Sequence, residues 1–177
     1  MGSKGEGDLI LELYSLYSDQ VYRYILLHVG DTCYAEDLTQ ETYIRAIKSI
    51  KSFEGNAAYR TWLFTIARNL AVDFHRKQRW TSFLPDIFLS KVKTLDSLPE
   101  EILELGEETK QIYRAIRKLK PNYQDVIFLR KLKEFSIMET AQILNWSEAK
   151  VKSTQLRALK ALKIELIKEG YVHETAL

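Results

Sequence analysis

The stretch SIMETAQILNWSEAKVKSTQLR, Ser136 to Arg157, places a short helical segment, a break of a few residues and a longer helical segment in succession. The spacing predicts one helix over Ser136–Leu144, a break at Asn145 and Trp146, and a second helix from Ser147 to about Glu169. Two helices joined this closely form a helix-turn-helix. Ser136 with Glu139 three residues on makes a capping-box pair, and Ser147 can cap the second helix beside Glu148. Ala141 is small where the helices must approach, and Ile137, Ile143, Leu144, Val151 and Leu156 suit a shared core. The second helix is then left to show solvent Lys150, Lys152, Ser153, Thr154, Gln155 and Arg157, an array with no carboxylate between Glu148 and Arg157. Cations and hydrogen-bonding side chains of this kind suit the DNA major groove. An ordinary solvated helix face is the alternative, and the local lack of acids favours DNA.

Working back toward the N-terminus, the apolar spacing stays helical. Ile112, Ile116 and Leu119 form one run that stops at Pro121, and Val126, Ile127, Leu129 and Leu132 form the next. Between Trp80 and Glu108 the period weakens around Pro85, Pro99 and the acidic run Glu100, Glu101, Glu104, Glu107 and Glu108, which reads as a flexible linker containing short helical turns. Before it, Leu9, Leu13, Leu16, Tyr17, Val21, Tyr24, Ile25 and Leu27 give a helix over Asp8–His28 that ends at Gly30. Asp31 or Thr32 caps a second helix reaching about Ser49, with Leu38, Thr42, Tyr43, Ala46, Ile47 and Ile50 as its apolar positions. Ser52 to Ala58 breaks the pattern at Gly55 and Asn56. A third helix runs from Tyr59 to about Gln78, with Trp62, Leu63, Phe64, Ile66, Leu70 and Phe74 as core. No strand-like alternation competes, so the chain reads as all-α: two small helical domains, 1–80 and 111–177, joined by an acidic linker at 81–110.

Composition narrows the function. Of the 177 residues 46% are hydrophobic and 28% charged, as in soluble globular proteins. No apolar run approaches the roughly 20 residues that span a bilayer, and the polar start, Met1 to Asp8, has no signal-peptide character, so a cytoplasmic location without membrane insertion is expected. The single cysteine, Cys33, and the three histidines, His28, His75 and His173, show no metal-ligand spacing, and neither metal nor cofactor is expected. Cations and carboxylates balance at ten each over residues 1–80, stand at three against seven over 81–110, and at thirteen against seven over 111–177. The basic end fits a polyanionic partner.

Two motif groups carry a family resemblance. Around the helix-turn-helix, Leu119 to Arg130 (LKPNYQDVIFLR) resembles the Leu-Pro-x-x-x-Arg-x-Val-x-x-Leu-Arg segment of extracytoplasmic-function (ECF) sigma factors. Ser136–Leu144 resembles their Ser-x-x-Glu-x-Ala-x-x-Leu helix, and Val151-Lys152-Ser153 with Arg157-Ala158 resembles their recognition helix. Independently, Ala35 to Ala46 (AEDLTQETYIRA) resembles their polymerase-binding helix and Thr61 to Asp73 (TWLFTIARNLAVD) their promoter-melting helix. Together these cover most of residues 9 to 165.

The resemblance implies an RNA polymerase sigma factor rather than an enzyme. Asp37, Gln40, Glu41 and Arg45 are then expected to bind the clamp helices of the polymerase largest subunit, with a further contact to the flap of the second subunit. The loop Phe53, Glu54, Gly55 and Asn56, with Ala57, is expected to hold a flipped base of the -10 element. Arg60, Trp62, Arg68, Asn69, Arg76 and Lys77 are expected on the same single-stranded DNA. Lys150, Lys152, Ser153, Thr154, Gln155 and Arg157 are expected at the -35 element. An anti-sigma factor, free or membrane-bound, is the implied inhibitor. Thr154 and Gln155 depart from the basic and apolar pair often found there, and Leu159 from a frequent Arg, which leaves the -35 preference open. A free-standing helix-turn-helix regulator is opposed by the motif around Asp37. An enzyme using the Glu100–Glu108 carboxylates has no partnering His, phosphate loop or nucleophile motif.

Overall fold

The computed structural model describes residues 5–81 and 106–170. The first helix, α1 (Glu6–Val29), stops because Gly30 takes the left-handed conformation, φ 70°, and its N–H returns to the Leu26 carbonyl. Asp31 follows in extended backbone and its carboxylate accepts the Tyr34 N–H at 3.2 Å, which starts α2 (Thr32–Ser49) one residue later. A 3-10 turn at Ile50–Ser52 and an irregular loop lead to α3 (Tyr59–Thr81).

These three helices enclose one core. Val21, Tyr24, Ile25, Leu26 and Leu27 of α1 are buried together with Leu63, Phe64 and Leu70 of α3, and Ala35, Ala46 and Ala67 are fully buried, the small residues that let helix backbones close in. Each large side chain fully removed from water here contributes about 1.5–3 kcal/mol. Tyr24 meets the Phe64 ring edge-on at 5.7 Å. The Tyr43 hydroxyl donates to the Leu13 carbonyl at 3.3 Å, and burial raises its pKa beyond the usual phenol range.

The second unit is described by itself: α4 (Glu107–Arg117), α5 (Pro121–Ile127), a π-helical turn at Phe128–Leu132, α6 (Ile137–Leu144) and α7 (Glu148–Lys168). Pro121 opens α5 in its first turn, where the N–H it lacks would have had no partner within the helix. Buried Gln124 donates its amide to the carbonyls of Arg117 and Leu119, both at 2.9 Å, and so ties the end of α4 to α5. The core is Ile116, Val126, Ile127, Leu129, Phe135, Ile143, Leu144, Val151 and Ala158.

The all-α architecture in two helical units agrees with the expectation, and no strand occurs among the described residues. Several details differ. Glu107 and Glu108, expected in the linker, form the first turn of α4, where carboxylates complement the positive end of the helix dipole. The expected short turns of the linker, with Glu100, Glu101 and Glu104, lie outside the described residues. Ile47, expected in the core, is 58% exposed, and Leu16 is also outward, because Ala46 and Tyr43 already occupy the inward stripe of α2 and Leu13 and Tyr17 that of α1.

Candidate functional surfaces

The exposed side of α2 carries Asp37 and Gln40 on successive turns, beside Glu41 and Arg45. The Arg45 Nε donates to Glu41 Oε1 at 2.8 Å, an i,i+4 ion pair at the surface. That hydrogen bond, rather than any burial, holds the Glu41 carboxyl below its ordinary pKa. Asp37 and Gln40 have no hydrogen-bond partner among the described residues, so their oxygens and amide face solvent. Sequence reading missed Ile44 and Ile47, both exposed, four and seven residues beyond Gln40 and therefore on its face. A polar patch with an apolar strip beside it suits a protein partner better than a nucleic acid.

Around the loop that follows, Gly55 has φ 74°, a conformation that favours glycine, and a Cβ there would meet nothing, so the requirement is one of backbone and not of space. The Asn56 amide donates to Glu54 Oε2 at 2.9 Å, both exposed. Phe53 packs on Tyr59 at 4.6 Å and on Trp62 at 5.1 Å between ring centroids. This aromatic knot anchors both ends of the loop, and Tyr59 is its most accessible ring, 38% exposed. Arg60, expected on DNA, turns its guanidinium to Gln20 of α1 at 3.1 Å. Further along α3, Arg68 is half-buried with a long contact to Asn69 Oδ1, Asn69 is exposed, and Arg76 pairs with Asp73 at 3.1 Å. Asn69, Asp73 and Arg76 therefore share one face, with Lys77 exposed at its edge.

The helix-turn-helix has the local chemistry expected of it. Ser136 Oγ accepts the Glu139 N–H at 3.1 Å while Glu139 accepts the Ser136 N–H at 2.7 Å, completing the capping box. Asn145 takes φ 53° to end α6, and the Trp146 N–H returns to the Ala141 carbonyl. Ser147 then caps α7 by accepting from the Lys150 N–H.

Two assignments on α7 are reversed. Thr154, expected to face outward, is only 4% exposed, and Leu156, expected in the core, is 59% exposed. Val151, Thr154 and Ala158 fall at i, i+3 and i+7 on the inward stripe, whereas Leu156 lies about 140° round from Val151. Gln155 is half-buried and accepts a hydrogen bond from Arg130 Nε at 2.9 Å. Lys150 holds its ammonium 4.2 Å from the Trp146 ring centroid. Lys152, Ser153 and Arg157 are exposed, with Arg157 donating to the Ser153 carbonyl at 3.2 Å. The outward face is thus Lys152, Ser153, Leu156, Arg157 and Lys160.

The family model for sigma-70 region 2 matches residues 13–81 and that for sigma-70 region 4 matches residues 109–162. The ECF RNA polymerase sigma factor SigX of Bacillus subtilis is 38% identical over 165 residues, covering 89% of this chain and 84% of its own. The chain belongs to the ECF RNA polymerase sigma factors. Another member, SigW of Bacillus subtilis, is 32% identical, covering 92% of this chain and 91% of its own. The sigma factor RpoE of Bartonella quintana, solved in complex with the anti-sigma factor NepR, shares the fold at a TM-score of 0.74 and 26% identity, covering 91% of this chain and 97% of that one.

In this sigma factor the region 2 match spans nearly all of α1, α2 and α3, and the region 4 match spans α4 to most of α7. Sigma factors are transcription initiation factors. Of the residues expected at sites, the structure brings together Asp37, Gln40, Glu41 and Arg45, and separately Lys152, Ser153 and Arg157. It turns Arg60 onto its own unit and withdraws Thr154. The exposure of Ile44, Ile47 and Leu156 and the contact of Arg130 with Gln155 were missed. Their signal was present only as surplus: more apolar positions than one helical stripe can bury, and an Arg directly after the buried run Val126 to Leu129. Among the described residues of this sigma factor no helix is long and apolar enough to cross a membrane, and no group of three His, Cys, Asp or Glu side chains could hold a metal.

Proposed function

We propose that the two units divide the work of promoter recognition. The α2 face of Asp37, Gln40, Glu41 and Arg45, with Ile44 and Ile47 beside it, docks on the clamp helices of the polymerase largest subunit. The 53–57 loop and the Asn69–Arg76 face of α3 take the melted -10 strand. The second unit lies against the flap of the second polymerase subunit and sets α7 in the major groove of the -35 element. The chain works in the cytoplasm under the control of an anti-sigma factor, free or membrane-anchored, a reading supported by the similarity to a sigma factor solved with its inhibitor.

The observation that carries this reading is the coexistence of two unlike surfaces. One is an exposed carboxylate, amide and isoleucine face on the first unit. The other is a capped helix-turn-helix whose outward face bears Lys152, Arg157 and Lys160, with Glu148 the exposed acid at its N-terminal end. A complementary polar patch gives partner specificity, and a helix face with cations from Lys150 to Lys160 and no carboxylate among them suits phosphate.

Reconstitution with sigma-free core polymerase tests it. The wild-type chain should support transcription from selected promoters. Asp37→Ala and Glu41→Lys should each weaken core association, and Lys152→Ala with Arg157→Ala should weaken promoter binding while sparing core association. Failure of the wild-type chain to associate with core ends the reading.

A further inference from the structure

Arg130 sits in the middle of the π-helical turn, half-buried, and makes no ion pair among the described residues. Its Nε donates to Gln155 Oε1 at 2.9 Å and its Nη1 donates to the Phe135 carbonyl. Both acceptors are neutral. A guanidinium keeps its charge at every accessible pH and carries five N–H donors, of which these bonds use two. A half-buried cation left without a carboxylate is incomplete, and an anion on its open side would complete it.

Gln155 decides what that anion can be. Because arginine only donates, the Gln155 amide must turn its oxygen toward Arg130 and its NH2 away. Reading adenine through a glutamine needs both amide atoms on the base edge, and here the oxygen is engaged. Gln155 also lies three residues beyond Lys152, so the guanidinium it holds stands on the flank of the face that carries Lys152. Gln155 occupies a position that is often apolar in the family, so the tether is a departure of this chain.

We propose that Gln155 is a positioning residue and not a base reader: it holds the Arg130 guanidinium beside α7 so that the remaining N–H groups take a DNA phosphate. The inference rests on the reading of α7 as the -35 helix. It adds a backbone contact from outside the recognition helix, one that raises affinity without choosing sequence.

The test uses the full chain assembled with core polymerase and a promoter fragment selected from a random pool. Affinity is measured across salt for that fragment and for a copy with its -35 element scrambled. Arg130→Met should weaken both by on the order of tenfold and lower the salt slope by about one. Gln155→Leu should weaken both to a smaller extent and add nothing in the double variant with Arg130→Met. Gln155→Glu keeps a hydrogen bond to the guanidinium but neutralises its charge, so it should lower the salt slope as Arg130→Met does. It carries the test where thermal melting shows that Arg130→Met fails to fold. A shift in preference at a single base pair with Gln155→Leu, or losses that multiply in the double variant, overturns the proposal. A wild-type holoenzyme indifferent to scrambling overturns the -35 reading itself, whatever the variants do.

Discussion

Leu156→Ala and Thr154→Lys should have opposite consequences from those the sequence pattern suggests. Truncating a buried leucine costs about 2–5 kcal/mol through lost burial and the cavity left behind. With Leu156 59% exposed, little burial is available to lose, and alanine is a slightly better helix former. The net change should therefore stay within about 0.5 kcal/mol. Thr154 is 4% exposed on the stripe of Val151 and Ala158, so a lysine there would bury an ammonium with no carboxylate to meet it. That should cost several kcal/mol. For a unit of this size about 1 kcal/mol moves the melting temperature by roughly 4–8 °C. Calorimetry of the full chain should show the transition of the second unit nearly unmoved by Leu156→Ala and lowered by more than about 10 °C by Thr154→Lys. Promoter affinity should fall with Leu156→Ala even though folding is spared. A loss of about 2 kcal/mol or more with Leu156→Ala would mean that α7 is rotated from the orientation described.

Removal of the capping-box hydroxyl by Ser136→Ala should cost about 1 kcal/mol, read as a lower melting temperature of the second unit, while Glu139→Gln, which can still accept from the Ser136 N–H, should cost much less. Equal losses from the two would argue that the Glu139 charge matters as much as the Ser136 hydroxyl bond. On α2, the Arg45 hydrogen bond depresses the Glu41 pKa in the folded state, so its stabilising contribution is present above the unfolded-state pKa and lost as pH falls through the folded-state value. Arg45→Met should raise the Glu41 titration midpoint followed by carboxyl NMR. An unchanged midpoint would show the ion pair to be absent in solution.

The helices and their ends were legible because the signals are local. Gly30 stops α1, Asp31 starts α2, Pro121 opens α5 and Ser136 with Glu139 opens α6, and each rests on backbone groups within a few residues. The faces were less legible. Thr154 and Leu156 are two residues apart on one helix, and polarity alone sent each to the wrong side. The inward stripe of α7 was set by what it packs against, a core already filled by Ile143, Leu144, Val126 and Phe135 that leaves space for a threonine and an alanine. Arg60 was read as a DNA contact because it is a cation among aromatics, yet its partner, Gln20, lies forty residues earlier and has no signature in the local pattern.

By itself, the sequence determined the all-α class, the helix-turn-helix with its caps, and the helical motif around Asp37 that carries the family resemblance. These depend on spacing along one chain segment, and 3.6-residue periodicity and side-chain capping act over four residues or fewer. Only the tertiary structure decided that Leu156 and Ile47 face water, that Thr154 does not, and that Arg130 and Gln155, twenty-five residues apart, share a hydrogen bond. Those outcomes are fixed by competition for a limited buried volume and by contacts between segments, and neither leaves a trace in local spacing.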